Sequence, residues 1–292
     1  MPTDAFQYQR AADLADAQKA IQQQPHKTNI LLTQPRVPAP YPTATGLQLD
    51  LRNLNLDYIR SKSGLIEIGA STTLQALADA PLLKRSQDGI VAVAAMHCTH
   101  YGMRNLACAG GAAIAVDGPP DLQLAWLVLD AQIHWDTGDV SPIGAHPPTG
   151  ASFPLRIFYS DMANSAALHA VRRTPRDEAI VAVAAALQTH DNKIAHVRIA
   201  IGGVANTPAR CNTAEIELTG KALTTASIAR AAAAAAATPG SRSDYRGSTA
   251  YRHAMASVLT QRALESLTPR AQCAVHPSEL CRACTPMRAV DR

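Results

Sequence analysis

Met103-Arg104-Asn105-Leu106-Ala107-Cys108-Ala109-Gly110-Gly111-Ala112, followed shortly by Asp117-Gly118-Pro119-Pro120-Asp121-Leu122, is the stretch whose reading decides this chain. A Gly pair lets backbone lie against backbone or ligand, because a side chain at either position would hold it off. Asp121 stands at the start of a helix expected over residues 122–129, where a carboxylate meets the exposed N–H groups of the first turn. On the N-terminal side, Leu65-Ile66-Glu67-Ile68-Gly69-Ala70 reads as a strand ending at a glycine. Ser71-Thr72-Thr73 then offers N-caps for a helix through Leu74, Leu77 and Ala78. Residues 90–96 read as a further helix. On the C-terminal side, Ala131-Gln132-Ile133-His134-Trp135 reads as a strand. Residues 136–153, rich in Gly, Pro, Ser and Thr, read as a loop and a domain boundary.

Further out, Ala11, Leu14, Ala15, Ala17, Ala20 and Ile21 recur at helical spacing and predict a helix over 5–24. Asn29-Ile30-Leu31-Leu32 reads as a short buried strand. Pro35, Pro38, Pro40 and Pro42 then forbid regular structure, and 47–51 is a second strand. From 179 the pattern changes. Residues 180–187 form an apolar strand, Asp191-Asn192 a turn, and 194–201 alternate as the return strand of a hairpin. Two helices follow. One runs from Ser227 through the alanine run and stops at Pro239-Gly240. The other spans 249–267 and presents Met255, Val258, Leu259, Ala263 and Leu267.

The bulk numbers agree with a globular chain. It has 292 residues, enough for two or three subdomains, with 47% hydrophobic but only 4% aromatic residues. Alanine carries much of the apolar count and buries little area per residue, so surfaces shared with partners matter for stability. The net charge of +4 is scattered apart from Arg172-Arg173 and Arg176, which read as a solvated turn. No basic stripe interleaved with aromatics points to nucleic acid, and no apolar run reaches the length of a membrane span. The start, Met1-Pro2-Thr3-Asp4, lacks a basic segment followed by an apolar one. The expectation is a chain without a signal peptide, placed in the cytoplasm; export as the passenger of a signal-bearing partner stays open. Six cysteines in this length do not make a disulfide scaffold. Cys98 and Cys108 read as small apolar core residues.

Several segments, in order, resemble one family. The stretch 103–112 resembles R-N-x-A-T-I-G-G-N, with a P-x-x-D-L about ten residues on. Phe6-Gln7-Tyr8 resembles its opening strand. Residues 65–77 resemble L-x-I-G-A-x-x-T-L-x-x-L. Val197 to Pro208, with Glu215 and Leu218-Thr219-Gly220-Lys221, resembles A-x-G-G-V-x-x-x-P…E-x-x-L-x-G-K. Residues 243–252 (S-D-Y-R-G-S-T-A-Y-R) resemble S-D-x-R-G-S-A-x-Y-R. The chain is identified by this resemblance as a member of the FAD-binding (medium) subunits of molybdenum hydroxylases, of the xanthine, carbon monoxide and aldehyde dehydrogenase type. The resemblance implies an α+β fold. A two-lobed FAD-binding domain (lobes 1–58 and 59–165) would be followed by a small C-terminal sheet-plus-helices domain (166–270) and a Cys-containing tail (271–292). It implies two partners, a large molybdopterin subunit and a small [2Fe–2S] subunit, and an oxidoreductase subunit with no catalytic residue of its own.

The resemblance also implies FAD, held through Gly110 and Gly111 at the pyrophosphate, Cys108 by a close backbone approach, and Asp121 orienting the cofactor. Yet the family pattern is altered in several places. Its first Gly loop, A-G-G-T-D-L, is replaced by Thr33-Gln34-Pro35-Arg36-Val37. Pro35 has no N–H to donate, and side chains occupy the space a phosphate needs. The second loop has Cys108 for Thr and Ala112 for Asn, losing a hydroxyl and an amide. The lysine expected near the flavin ring is Ala170 or Val171. Segment 136–160 is shorter than the family's. Two readings follow: a structural or interaction subunit with weak or lost FAD binding, and a working FAD electron-transfer subunit that passes electrons from the iron–sulfur subunit to an acceptor. The altered first loop favours the former. Beyond the family region, Cys281-Arg282-Ala283-Cys284 has metal-ligand spacing. Cys273 and His276 could complete a set for zinc or an iron–sulfur cluster; a tail of reactive thiols is the plainer reading.

Overall fold

The structure is a computed structural model and describes residues 6–23, 28–30, 46–115, 119–145, 152–161, 165–174 and 177–273. The first lobe contains β1 (Phe6–Arg10), α1 (Leu14–Gln23), β2 (Thr28–Ile30) and β3 (Gly46–Asp50). They form a parallel sheet of order β1-β3-β2. The helix expected over 5–24 is therefore shorter. Its first residues alternate as a strand and pair from Phe6↔Gly46 to Arg10↔Asp50, so β-pairing with a distant partner overrides the local helical spacing. The Ala11 N–H still bonds the Asp50 carbonyl, and α1 opens on the Asp13 carboxylate, which accepts from the Asp16 N–H at 2.8 Å. Ala17, Ala20 and Ile21 then pack on Leu47, Leu49 and Leu51. Asp50, at the carboxyl end of β3, accepts from Arg52 and from the Tyr8 hydroxyl, and the Arg52 bond holds its carboxyl well below the usual range.

The second lobe runs through β4 (Ile59–Lys62), β5 (Leu65–Gly69), α2 (Leu74–Asp79), α3 (Pro81–Arg85), α4 (Ile90–Cys98), α5 (Tyr101–Arg104), α6 (Ala109–Ile114), α7 (Pro120–Val128), β6 (Gln132–Trp135), β7 (Val140–Pro142) and β8 (Pro154–Ser160). Its antiparallel sheet has the order β4-β5-β8-β6-β7. Residues 136–153 are thus not a domain boundary. They contain β7, and the chain returns from them to insert β8 between β5 and β6. Thr73 caps α2, its hydroxyl accepting from Ala76 N–H at 3.1 Å. Gly69 is required by contact: a Cβ there would stand 2.1 Å from the Leu56 carbonyl oxygen. Helices α4 and α7 are apolar on nearly every side and sink into the core beside Ile66, Ile68, Ile133 and Ile157.

The C-terminal domain contains β9 (Ser165–Val171), β10 (Val181–His190), β11 (Lys193–Gly202), β12 (Ala209–Arg210), α8 (Asn212–Leu218), α9 (Thr225–Ala236) and α10 (Thr249–Cys273). The sheet is antiparallel, in the order β12-β11-β10-β9. Its faces differ in residue size. Val181, Val183, Ala185 and Leu187 face α9 and α10, in a cluster with Ile228, Ala231, Leu259 and Leu267. Ala182, Ala184 and Ala186 face the other way and join the core of the second lobe. The alternation of β10 therefore joins two layers, and its alanine face lets α7 lie close. Gly202 completes that face, since a Cβ there would come within 2.6 Å of Pro120 Cβ.

The segment 243–252 folds into a knot around Arg252, which is 1% exposed. Its guanidinium donates to the carbonyls of Ile180 (2.5 Å), Gly203 (2.8 Å) and Gly247 (3.1 Å) and to Asp244 Oδ1 (2.6 Å). Glu215 plays a similar part beside β11, accepting from the Ile199 N–H at 2.9 Å and from Arg210 at 2.6 and 3.0 Å. The C-terminal residues that carry the family resemblance thus hold the fold.

Candidate cofactor site

The Gly pair lies in the first turn of α6. The chain reaches it through a bridge between Thr73 and Cys108, with the Leu74 N–H on the Ala107 carbonyl at 2.9 Å. The first N–H groups of a helix have no partner within it and are the usual donors to an anion. Here the Ala109 N–H donates to the Thr72 carbonyl and the Gly110 N–H to the Ala70 carbonyl, both at 2.8 Å. Gly110 does serve a close approach, but to protein. A Cβ would meet Ala70 Cβ at 2.9 Å, Ala70 O at 3.0 Å and Pro154 Cγ at 3.1 Å. Gly111 is buried. Cys108 is the N-cap residue, its thiol does not cap the helix, and it packs in the core of the first lobe with Leu49 and Phe153.

The Arg-Asn dipeptide before this turn also works within the fold. Arg104 donates to Gln75 Oε1 (2.9 Å) and to the carbonyls of Met96 (2.8 Å) and Thr99 (2.7 Å), closing the end of α4. Asn105 Nδ2 donates to the Tyr101 carbonyl at 2.9 Å.

Asp121 lies in the first turn of α7 with its side chain 0% exposed, and one oxygen accepts from Arg172 just beyond β9. Its other oxygen and Arg172 Nε are buried without a hydrogen-bond partner among the described residues. Burial pushes the Asp121 carboxyl up to about 6, against the pull of Arg172. Burial likewise raises the Cys98 thiol and, with Arg172 and Arg104 nearby, lowers His97. Arg172 is a correction to the solvated turn expected at 172–173: its side chain is 13% exposed. A partner 51 residues away leaves no local signal.

Near α6 there is also a cleft of about 210 Å³ between the second lobe and the C-terminal domain, its walls including Ala113, Ile114, Gln123, Leu127, Ile143 and Pro208. Gln123, which the sequence reading missed, fixes one wall. Its Nε2 donates to the carbonyls of Ala112 (3.0 Å) and Ala115 (2.6 Å), tying α7 to the end of α6. Cys108, Gly110, Gly111 and Asp121 do not line this cleft. The first three share one turn, while Asp121 faces the C-terminal domain. The altered first loop, 33–37, lies outside the described residues. So do His276, Cys281 and Cys284; Cys273 ends α10 and its side chain is not described. Among the described residues no group of His, Cys, Asp and Glu is placed to hold a metal, and no helix is long and apolar enough to cross a membrane.

Residues 4–142 match the FAD binding domain in molybdopterin dehydrogenase, and residues 166–267 match the CO dehydrogenase flavoprotein C-terminal domain. The chain belongs to the FAD-binding, or medium, subunits of the molybdenum hydroxylases. Uncharacterized protein YgfM of Escherichia coli (strain K12) is 30% identical over 225 residues, 75% of this chain and 80% of that one. The glyceraldehyde dehydrogenase medium chain of Sulfolobus acidocaldarius is 24% identical over 235 residues, 75% of this chain and 82% of that one. In the structure of reconstituted CO dehydrogenase from Oligotropha carboxidovorans, a chain superimposes with a TM-score of 0.82 at 25% identity, covering 92% of this chain and 100% of that one. The medium-subunit fold, a FAD-binding domain followed by a C-terminal domain, is thereby shared along most of its length.

Proposed function

We propose that this medium subunit works beside a large molybdopterin subunit and a small [2Fe–2S] subunit, and that its role there is structural, with FAD bound weakly or not at all. One observation carries the reading. A pyrophosphate needs backbone donors, and those of Ala109 and Gly110 are already bonded to Thr72 and Ala70. Asp121 adds to it, being closed off from solvent and engaged by Arg172. The engaged donors and the closed carboxylate support the reading that the residues assigned to FAD by the family resemblance suit the fold better than the cofactor. The competing reading, a working FAD electron-transfer subunit, rests on the retained Gly110 and Gly111 and on the apolar cleft beside Gln123. The same proposal places the subunit in the cytoplasm and reads Cys273, His276, Cys281 and Cys284 as tail residues with metal-ligand spacing, the cysteines more simply reactive thiols than a zinc or iron–sulfur site.

The test is co-expression with both partner subunits, followed by the visible spectrum and acid release of flavin. The expected result is an intact complex, reducible by substrate, without stoichiometric flavin. One FAD per medium subunit would overturn the reading and restore the electron-transfer role.

A further inference from the structure

The boundary between α7 and the C-terminal domain is almost wholly apolar. At its Asp121 end, however, it holds a small set of charges. Asp121 enters from α7, Arg172 from the end of β9 and Glu178 from the approach to β10. Arg246 bonds Glu178 at 3.1 Å. From α4, Cys98 and His97 face the same corner. At the far end of α7, Arg198 pairs with Asp130 at 3.0 Å and Arg210 with Glu215, both away from Asp121. A guanidinium usually meets a carboxylate through two parallel bonds. Arg172 and Asp121 make one, and the second oxygen and Nε are left buried without partners among the described residues. A buried ionised carboxylate in that state is better hydrated than enclosed.

We infer that the Asp121–Arg172 contact is a strained closure of the domain boundary, closed firmly while the Asp121 carboxyl is neutral and loosened when it ionises. The sign follows from linkage. The closed state raises Asp121 from its ordinary value to about 6, so protons favour the closed state. That stabilisation is complete below the ordinary carboxyl value and is lost as pH rises through about 6. At neutral pH the start of α7 and the end of β9 become the part of this boundary that opens first. The inference stands apart from the proposed function, because it concerns the chain with or without flavin.

The test is hydrogen exchange of the full chain from pH 4.5 to 7.5, corrected for intrinsic rates. It follows amides at 121–125 and 166–172. The expected result is an opening equilibrium that rises about tenfold to a hundredfold across that range. Asp121→Asn removes the slope, and His97→Gln leaves it in place. A flat profile in the native chain, or a slope that survives in Asp121→Asn, overturns the inference. Should Asp121→Asn fail to fold, a carbon-13 NMR titration of the native carboxyl decides instead: a midpoint near 6 supports the closure, and one below 4.5 overturns it.

Discussion

Arg252, buried, and Arg172, largely buried, are both cations of the C-terminal domain, and they are satisfied very differently. Arg252 gives its donors to the carbonyls of Ile180, Gly203 and Gly247 and to Asp244. Arg172 makes a single bond to Asp121 and leaves Nε buried and unbonded among the described residues. The first charge ties strand ends, a glycine turn and a helix into one knot. The second sits on a boundary whose cohesion comes from the apolar surfaces of α7, β10 and β11. A buried cation in this chain can therefore be structural cement or a tolerated cost, and the count of completed bonds tells which.

The sharpest way to break that comparison is to neutralise Arg252. Arg252→Met removes the charge, strands the carbonyls of Ile180 and Gly203, and takes one donor each from the Gly247 carbonyl and the Asp244 carboxylate. The expected loss is about 3–5 kcal/mol of stability, the range for uncoupling a buried charge network. Urea unfolding followed by far-UV circular dichroism measures it. A loss below about 1 kcal/mol would mean that the knot is ornamental and that the two arginines do not differ.

Next in size is a wedge at the α7 boundary itself. Gly202→Ala puts a methyl group 2.6 Å from Pro120 Cβ. Overpacking of this kind costs about 1–3 kcal/mol. Because the clash presses on α7, protease cleavage between the two domains is expected to accelerate while far-UV circular dichroism at low temperature is retained. Unchanged cleavage would show that the boundary yields elsewhere.

Removing both members of the weaker pair should cost least. Asp121→Asn with Arg172→Gln keeps a polar amide at both positions, shortens the second side chain and discards both charges. At pH 7.5 the double variant is expected within about 1 kcal/mol of the native chain or above it, as for other buried ion pairs replaced together. A loss as large as that of Arg252→Met would place the two pairs in one class after all.

Both arginines were visible in the sequence, yet only Arg252 stood in a legible context. It closes S-D-Y-R-G-S-T-A-Y-R, whereas Arg172 was one of two adjacent arginines in a turn. The β10–β11 hairpin was legible because its residues alternate around the Asp191-Asn192 turn, and both of those residues take positive φ. Strand β8 was not, because its place between β5 and β6 depends on pairing with distant partners. The first strand was legible in the family resemblance of Phe6-Gln7-Tyr8 but not in periodicity, because alanines at helical spacing begin only a few residues later. At the candidate site the residue types were legible and their commitments were not. No local pattern reveals that the Ala109 and Gly110 N–H groups end on Thr72 and Ala70.

The engaged donors of α6 set the smallest expected effect, a change in flavin affinity. Cys108→Thr with Ala112→Asn restores the side chains that the family pattern carries. If side chains limited FAD binding, the pair would raise affinity at least tenfold. If the backbone donors are the limit, as their bonds to Thr72 and Ala70 indicate, affinity should change less than about threefold, under 1 kcal/mol. The threonine hydroxyl can still cap α6, which the Cys108 thiol does not do. A gain of about 1 kcal/mol in stability is therefore expected without a gain in flavin. Calorimetric titration of the refolded variant with FAD, run beside its thermal unfolding, separates the two effects. Stability without affinity would mean that this turn of α6 now belongs to the fold rather than to the cofactor.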